Sequence, residues 1–480
     1  MTAQTSSAMQ LFPDHISNPA VLGTGSKHRK ALLCLLFSST IFVTWGGFIA
    51  VHSPSGMGAF KAVFYAARCL LQHSDPYNPA TLQQLYSAEG GTFPSNPVDA
   101  FLFRRAMLVC VNIPTSLFLI APLALLPWKV AALIWMVLNA VSLMLAAFVV
   151  WTIAKDQALR PATLLICLLL CNAELVFALG NLAGLVASLC TIAVCCFLED
   201  RYASFGVFCL AISLVLKPHD SGLVWLYFLL AGGVYRKRAL QTLGVAALLT
   251  LPAVLWVSHV APMWLQEIRA NLRLLSAHGS VNDPGPASLT FHSADTVISL
   301  QAFFSLIRDD PRFYNLASYL ISGALLCAGA VRVLQSRYTK TNAWCAIAAI
   351  TALSMLPVYH RAYDAKLLLL AIPACALLWR EGGRLKWIAG LVTTLALLCT
   401  ADVPATILMN MMTSMKGGIA SLWGRLLTAF VFHPAPLILL ATGSFYLWIY
   451  FRYTAHERRE AVTTNDALGA AVTAVSGPSL

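Results

Sequence analysis

Charge is the scarce ingredient of this sequence. Only 11% of its 480 residues are Asp, Glu, Lys or Arg, against 59% hydrophobic residues and a mean hydropathy of +0.73. That balance excludes an ordinary soluble domain and describes an integral membrane protein. The few charges sum to +12, yet no basic stripe alternates with aromatics, so nucleic acid is not an expected partner. Basic residues fall mostly in short loops, as the positive-inside rule predicts. The sequence also lacks a Walker loop, a dinucleotide fingerprint, an HExxH motif and a nucleophile elbow. No cysteine pair has zinc-ligand spacing with histidines nearby, so no metal and no cofactor are indicated. Cys167, Cys171, Cys190, Cys195, Cys196 and Cys209 lie inside apolar segments, where cysteine acts as a small hydrophobe. A Cys69–Cys110 bridge stays open, because spacing alone does not establish one.

What is present is a series of apolar stretches long enough to cross about 30 Å of hydrocarbon. Lys27-His28-Arg29-Lys30 precedes an apolar run from Ala31 to Val51, too long for a signal-peptide core and read as a first spanning helix. The expected organisation is a cytoplasmic polar tail at 1–30, a transmembrane domain at 31–452, and a cytoplasmic, disordered tail at 453–480. Outer loops are expected at about 52–106 and 259–312, and both termini on the cytoplasmic side. The second half threads cleanly, with Arg236-Lys237-Arg238, Arg332, Arg337, Lys340, Arg380, Arg384 and Lys386 at inner turns. The first half has a parity problem. Six apolar segments lie between loop 52–106 and Arg236, and an even number cannot carry the chain from outside to inside. The segment 162–179, interrupted by Asn172 and Glu174, is expected to be the one that does not cross, as a broken or re-entrant piece. The fold class is therefore an all-α polytopic membrane bundle of about ten to thirteen transmembrane helices, with interfacial helices in its outer loops.

The densest chemistry is Lys217-Pro218-His219-Asp220, wedged between two apolar segments. Ionisable groups at the edge of hydrocarbon are costly and usually mark function, although such a cluster can also simply snorkel to headgroups. His360-Arg361-Ala362-Tyr363-Asp364 is a second such turn, with His360 and Asp364 at helical spacing. In the first outer loop Asp75-Pro76-Tyr77-Asn78-Pro79 is turn chemistry, with catalytic and purely structural readings of Asp75 equally open. The 259–312 loop adds His278, Asn282, Asp283, His292 and Asp295, which bind an acceptor or solvate a loop.

The order of several weak motifs resembles glycosyltransferase family 87, multi-spanning enzymes of the GT-C type that include polyprenyl-phosphate-mannose-dependent mannosyltransferases. They are the small-residue, tyrosine-containing helix ending at Arg68, Asp75-Pro76-Tyr77, Ala121-Pro122-Leu123-Ala124-Leu125-Leu126-Pro127, Gly180-Asn181, Lys217-Pro218-His219 and the turn at His360. The resemblance implies a GT-C-like bundle in a bacterial inner membrane. It also implies transfer of a hexose or pentose, mannose foremost, from a polyprenyl-phosphate sugar to a glycolipid or glycan acceptor, with inversion. Membrane lipids are the remaining partners. In that chemistry Lys217, His219, Asp220, Arg68, Arg361, Tyr77 and Asn181 would bind substrate, the cations offsetting charge on the leaving phosphate. Two departures stand out. The family's Asp-Phe pair, whose aspartate resembles the general base, reads Ala59-Phe60 here, and its Tyr-Pro-Pro reads Asn112-Ile113-Pro114. Alanine takes no proton, so Asp364, Asp75 or His360 would have to serve, or activity is impaired. The competing class, a transporter or flippase of lipid-linked substrate, predicts internal repeats with paired broken helices, and no clear repeat is found.

Overall fold

A computed structural model describes residues 19–53, 56–293, 296–414 and 421–475. Those residues form helices joined by turns, with one isolated antiparallel bridge, Val297 to Arg361, and no sheet. Among the described residues six helices are long and apolar enough to cross a membrane: Ser26–His52, Trp128–Leu179, Gly233–Val260, Pro311–Gln335, Ala362–Glu381 and Ala435–His456. A further candidate is bent by 63° between Leu385–Cys399 and Asp402–Met412. Apolar side chains such as Leu33, Leu36, Phe37, Leu248, Leu251, Leu320 and Leu391 stand exposed on these helices. In water such a surface would aggregate, so lipid must cover it. The chain is an all-α polytopic membrane protein.

The long helix Trp128–Leu170 is two antiparallel limbs. Its backbone leaves the helical region at Ala158 (φ −156°, ψ 82°), and Pro161 follows. Across the reversal Trp151 Nε1 donates to Thr163 Oγ1 at 3.0 Å. The second limb continues through the short helix Leu175–Leu179 to Gly180, whose carbonyl accepts from Trp135 Nε1 at 2.8 Å, near the start of the first limb. The chain has therefore gone the length of the bundle and returned. This corrects the expectation for 162–179, which traverses the bundle. The segment that stays at one end is the helix Pro114–Ala124, whose 11 residues reach only about 16 Å. Thr115 and Ser116 bond the carbonyls of Val215 and Leu216, while Arg68 Nη1 donates to Leu126 O at 3.3 Å.

Gly180 is required where it stands. Its φ is +61°, and a Cβ there would come within 2.8 Å of Phe60 Cβ. Met57 N donates to Ala178 O at 2.7 Å, so the first loop helix, Gly58–Leu71, is seated on this turn. Ten of its fourteen residues are buried, and Phe60 stacks on Trp135 with centroids 4.7 Å apart.

The two ends of the bundle differ in chemistry. At one end Arg238 pairs with Asp200, Lys340 with Glu199 at 2.6 Å, and Tyr453 with Glu381. These are the turns expected to face inward. At the other end the loops 52–106, 259–312 and 356–364 meet. Asn271 Nδ2 bonds the carbonyls of Tyr77 and Cys110, and Ile298 N donates to His360 O. Phe291 and Leu306 of the second loop also pack with Met409 and Met412 from the second limb of the bent helix and with Ala429 and Phe432 beyond it. Cys69 and Cys110 are buried free thiols, so the bridge left open above is not formed. The helix Ala435–Val475 runs on through the segment expected to be a disordered tail. Asp295 lies outside the described residues.

One element is unusual. Ala362–Ala371 is a 3₁₀ helix of ten residues, all buried, continuing into the α-helix Ile372–Glu381. Such runs rarely exceed three or four residues. It carries two charges, Asp364 near its start and Lys366 within it.

Candidate active site

The helix Ala203–Leu216 ends at Lys217, and Pro218 opens the helix Pro218–Ala231. A residue before proline is pushed out of the helical region, and Lys217 has φ −153° and ψ 83°. The break throws the lysine side chain across the end of the bundle to the turn 359–364. Its ammonium lies between two buried carboxylates, paired with Asp364 Oδ1 and 3.1 Å from Asp220 Oδ2, and over the ring of Tyr363 at 5.3 Å. Asp364 Oδ2 accepts from the Arg361 backbone N–H at 2.8 Å, so both its oxygens are engaged.

Two imidazoles complete the cluster. His219 Nε2 and His360 Nε2 each lie 3.4 Å from Asp220 Oδ1, and the rings meet edge to face at 5.2 Å. His360 is 1% exposed and Asp220 3%, whereas the His219 side chain is 39% exposed. Nδ1 of His360 lies 3.1 Å from the Val358 carbonyl. A carbonyl only accepts, so Nδ1 carries the hydrogen. Burial opposes a charge on His360, but the Asp220 carboxylate outweighs it and lifts this ring above the ordinary histidine range.

Five residues singled out in the sequence, Lys217, His219, Asp220, His360 and Asp364, thus share one cluster although 140 residues separate its two halves. Arg361 adjoins it but points away, bonding Tyr359 Oη, Val281 O and Asn282 Oδ1. The others stand elsewhere. Asp75 Oδ1 accepts from Tyr77 N at 2.8 Å, and Tyr77 Oη donates to Asn112 O at 2.9 Å, which makes this stretch a packed turn. Asp75 also shares a hydrogen bond with the Glu267 carboxyl; burial and then Asp75 push that carboxyl up to about 7. Arg68 Nε pairs with Glu89 at 2.8 Å. Asn181 Oδ1 accepts from Ala183 N and caps the helix Leu182–Leu198. Ala59 sits one residue into Gly58–Leu71, the helix that rests on Gly180.

Sequence reasoning missed a second buried charge group. Lys366 Nζ donates to Asn172 O at 2.7 Å and pairs with Asp402 at 3.1 Å. Asp402 Oδ2 accepts from Leu175 N at 2.7 Å, and Glu174 is buried alongside. The only signal was charge inside apolar segments; nothing in the order of residues joined 174, 366 and 402.

No match was found among curated proteins or among solved structures. The sequence model of glycosyltransferase family 87 matches residues 111–357, which include Lys217, His219 and Asp220 and end just before the turn of His360 and Asp364. More than half of the chain is matched, and with its membrane-spanning fold this places the protein in glycosyltransferase family 87, as a membrane glycosyltransferase.

Proposed function

We propose that this chain transfers a hexose or pentose, with mannose the leading choice, from a polyprenyl-phosphate sugar to a lipid or glycan acceptor, inverting the anomeric carbon. The observation that carries this reading is the Lys217 ammonium held between Asp220 and Asp364 where the loops converge. A lipid-linked donor keeps its phosphate at the headgroup layer, within reach of a cation at a helix break. On its arrival Lys217 exchanges Asp364 for phosphate, offsetting charge as the bond from C1 to the phosphate oxygen breaks. Asp364 Oδ1 is thereby freed. It takes the proton of the acceptor hydroxyl as that oxygen bonds C1 from the opposite face, and polyprenyl phosphate leaves. Asp364 suits the base better than Asp75, which is tied to its own turn. Neither terminus needs to face a particular side for this chemistry, but the inner membrane, with both ends cytoplasmic, fits the distribution of basic turns.

The test is transfer from a panel of polyprenyl-phosphate sugars in proteoliposomes. Lys217→Ala and Asp364→Asn should each lower kcat by about 100-fold or more while the protein stays folded. Loss in Asp75→Asn with Asp364→Asn active would move the base to Asp75. The second reading, a family member without activity, rests on Ala59. Turnover appearing only in Ala59→Asp would establish it.

A further inference from the structure

We propose that His219, Asp220 and His360 form a binding site for one divalent transition-metal ion of the zinc class. The proposal is independent of the reaction assigned above. It begins with unmet valence. Asp220 Oδ1 and His360 Nε2 are buried and make no hydrogen bond, while Asp220 Oδ2 is paired with the Lys217 ammonium at 3.1 Å. In the neutral ring, with Nδ1 of His360 donating to Val358 O, Nε2 presents a lone pair to Asp220 Oδ1, another acceptor, 3.4 Å away. Two buried acceptors face to face repel unless a cation lies between them. A proton on His360 would satisfy one such pair. The equal 3.4 Å approach of His219 Nε2 to the same oxygen needs a hydrogen on that nitrogen as well, or one cation shared by all three groups.

A metal ion answers both. Ligand atoms at 2.0–2.1 Å from a tetrahedral ion stand about 3.4 Å apart, the separation of Asp220 Oδ1 from each imidazole nitrogen. All three ligand atoms lie within 4.8 Å of one another. The Nδ1–H bond to a backbone carbonyl is the outer support that metal-bound histidines ordinarily have. Two nitrogens and one carboxylate oxygen favour zinc-like ions over magnesium or calcium. His219 is partly exposed and gives the ion a path in, and three protein ligands leave a fourth position open. Lys217 stays on the far side of the carboxylate, next to Oδ2. The cluster His278, Asp283 and Asp309 has similar residues but not the same need. Both oxygens of Asp283 already accept, from Gly279 N and Gly285 N.

The experiment uses the full chain in lipid nanodiscs, stripped with chelator and titrated with Zn²⁺, in a His278→Ala background to remove the exposed cluster. Bound metal is counted by mass spectrometry, and the ligand shell is read by X-ray absorption. One equivalent should bind with two imidazoles and oxygen at about 2.0–2.1 Å. His360→Ala, Asp220→Asn and His219→Ala should each weaken binding at least tenfold. His219 is the safeguard, since its replacement leaves the buried core untouched. Absence of stoichiometric zinc in the unmutated cluster, or zinc retained unchanged in both His219→Ala and His360→Ala, would overturn the site and leave His360 as an imidazolium paired with Asp220.

Discussion

At the scale of the residue, the clearest lesson is that ionisable side chains here are placed by backbone breaks. Lys217 is where it is because Pro218 forbids the preceding residue a helical backbone. That much was legible: a lysine, a proline, a histidine and an aspartate between apolar helices announce a site. The identity of its partners was not, since Lys217 and Asp364 are 147 residues apart and only the fold joins them. Metal-ligand geometry was hidden for the same reason, His219 and Asp220 being adjacent while His360 comes from another helix end. Away from that cluster, the Glu267 carboxyl makes a prediction of its own. Its value of about 7 in the folded chain lies above the 4.5 of a free glutamate, so folding favours the protonated form. The stabilisation is complete below about pH 4.5 and fades as pH rises through about 7. Thermal midpoints measured from pH 5 to 8 should fall, and Glu267→Gln should flatten that slope. An unchanged slope would show that the Glu267 carboxyl is not raised by folding.

At the scale of the element, periodic apolar runs gave the spanning helices readily, but short helices were harder to judge. Pro114–Ala124 is as apolar as a true span and only its length sets it apart. Asn172 and Glu174 made the second limb look discontinuous, whereas a buried ion pair and a capped helix start satisfy that break. The latch of Lys366, Asp402 and Glu174 therefore has a measurable weight. Lys366→Met leaves two carboxyl groups buried without a cation, which should cost about 3–5 kcal/mol. The loss should appear as a lower unfolding midpoint in detergent. Adding Asp402→Asn should recover part of it, and a neutral Lys366→Met would mean that water already reaches the latch.

For the whole molecule, the charge pairs divide between two ends, Arg238–Asp200 and Lys340–Glu199 at one, Lys217–Asp364 at the other. A cysteine at exposed His278 and one at exposed Arg201 should thus react with impermeant maleimide from opposite faces of sealed vesicles. Labelling of both from one face would refute the arrangement. The same architecture ties chemistry to shape. Asp364 and Lys366 ride on one 3₁₀ rod about 20 Å long, which would shorten to about 15 Å if rewound as an α-helix. Rewinding would also turn one charge relative to the other. Lys217 and the bend at residues 399–402 thus grip the same rod two residues apart, and any rewinding there would have to move both contacts together.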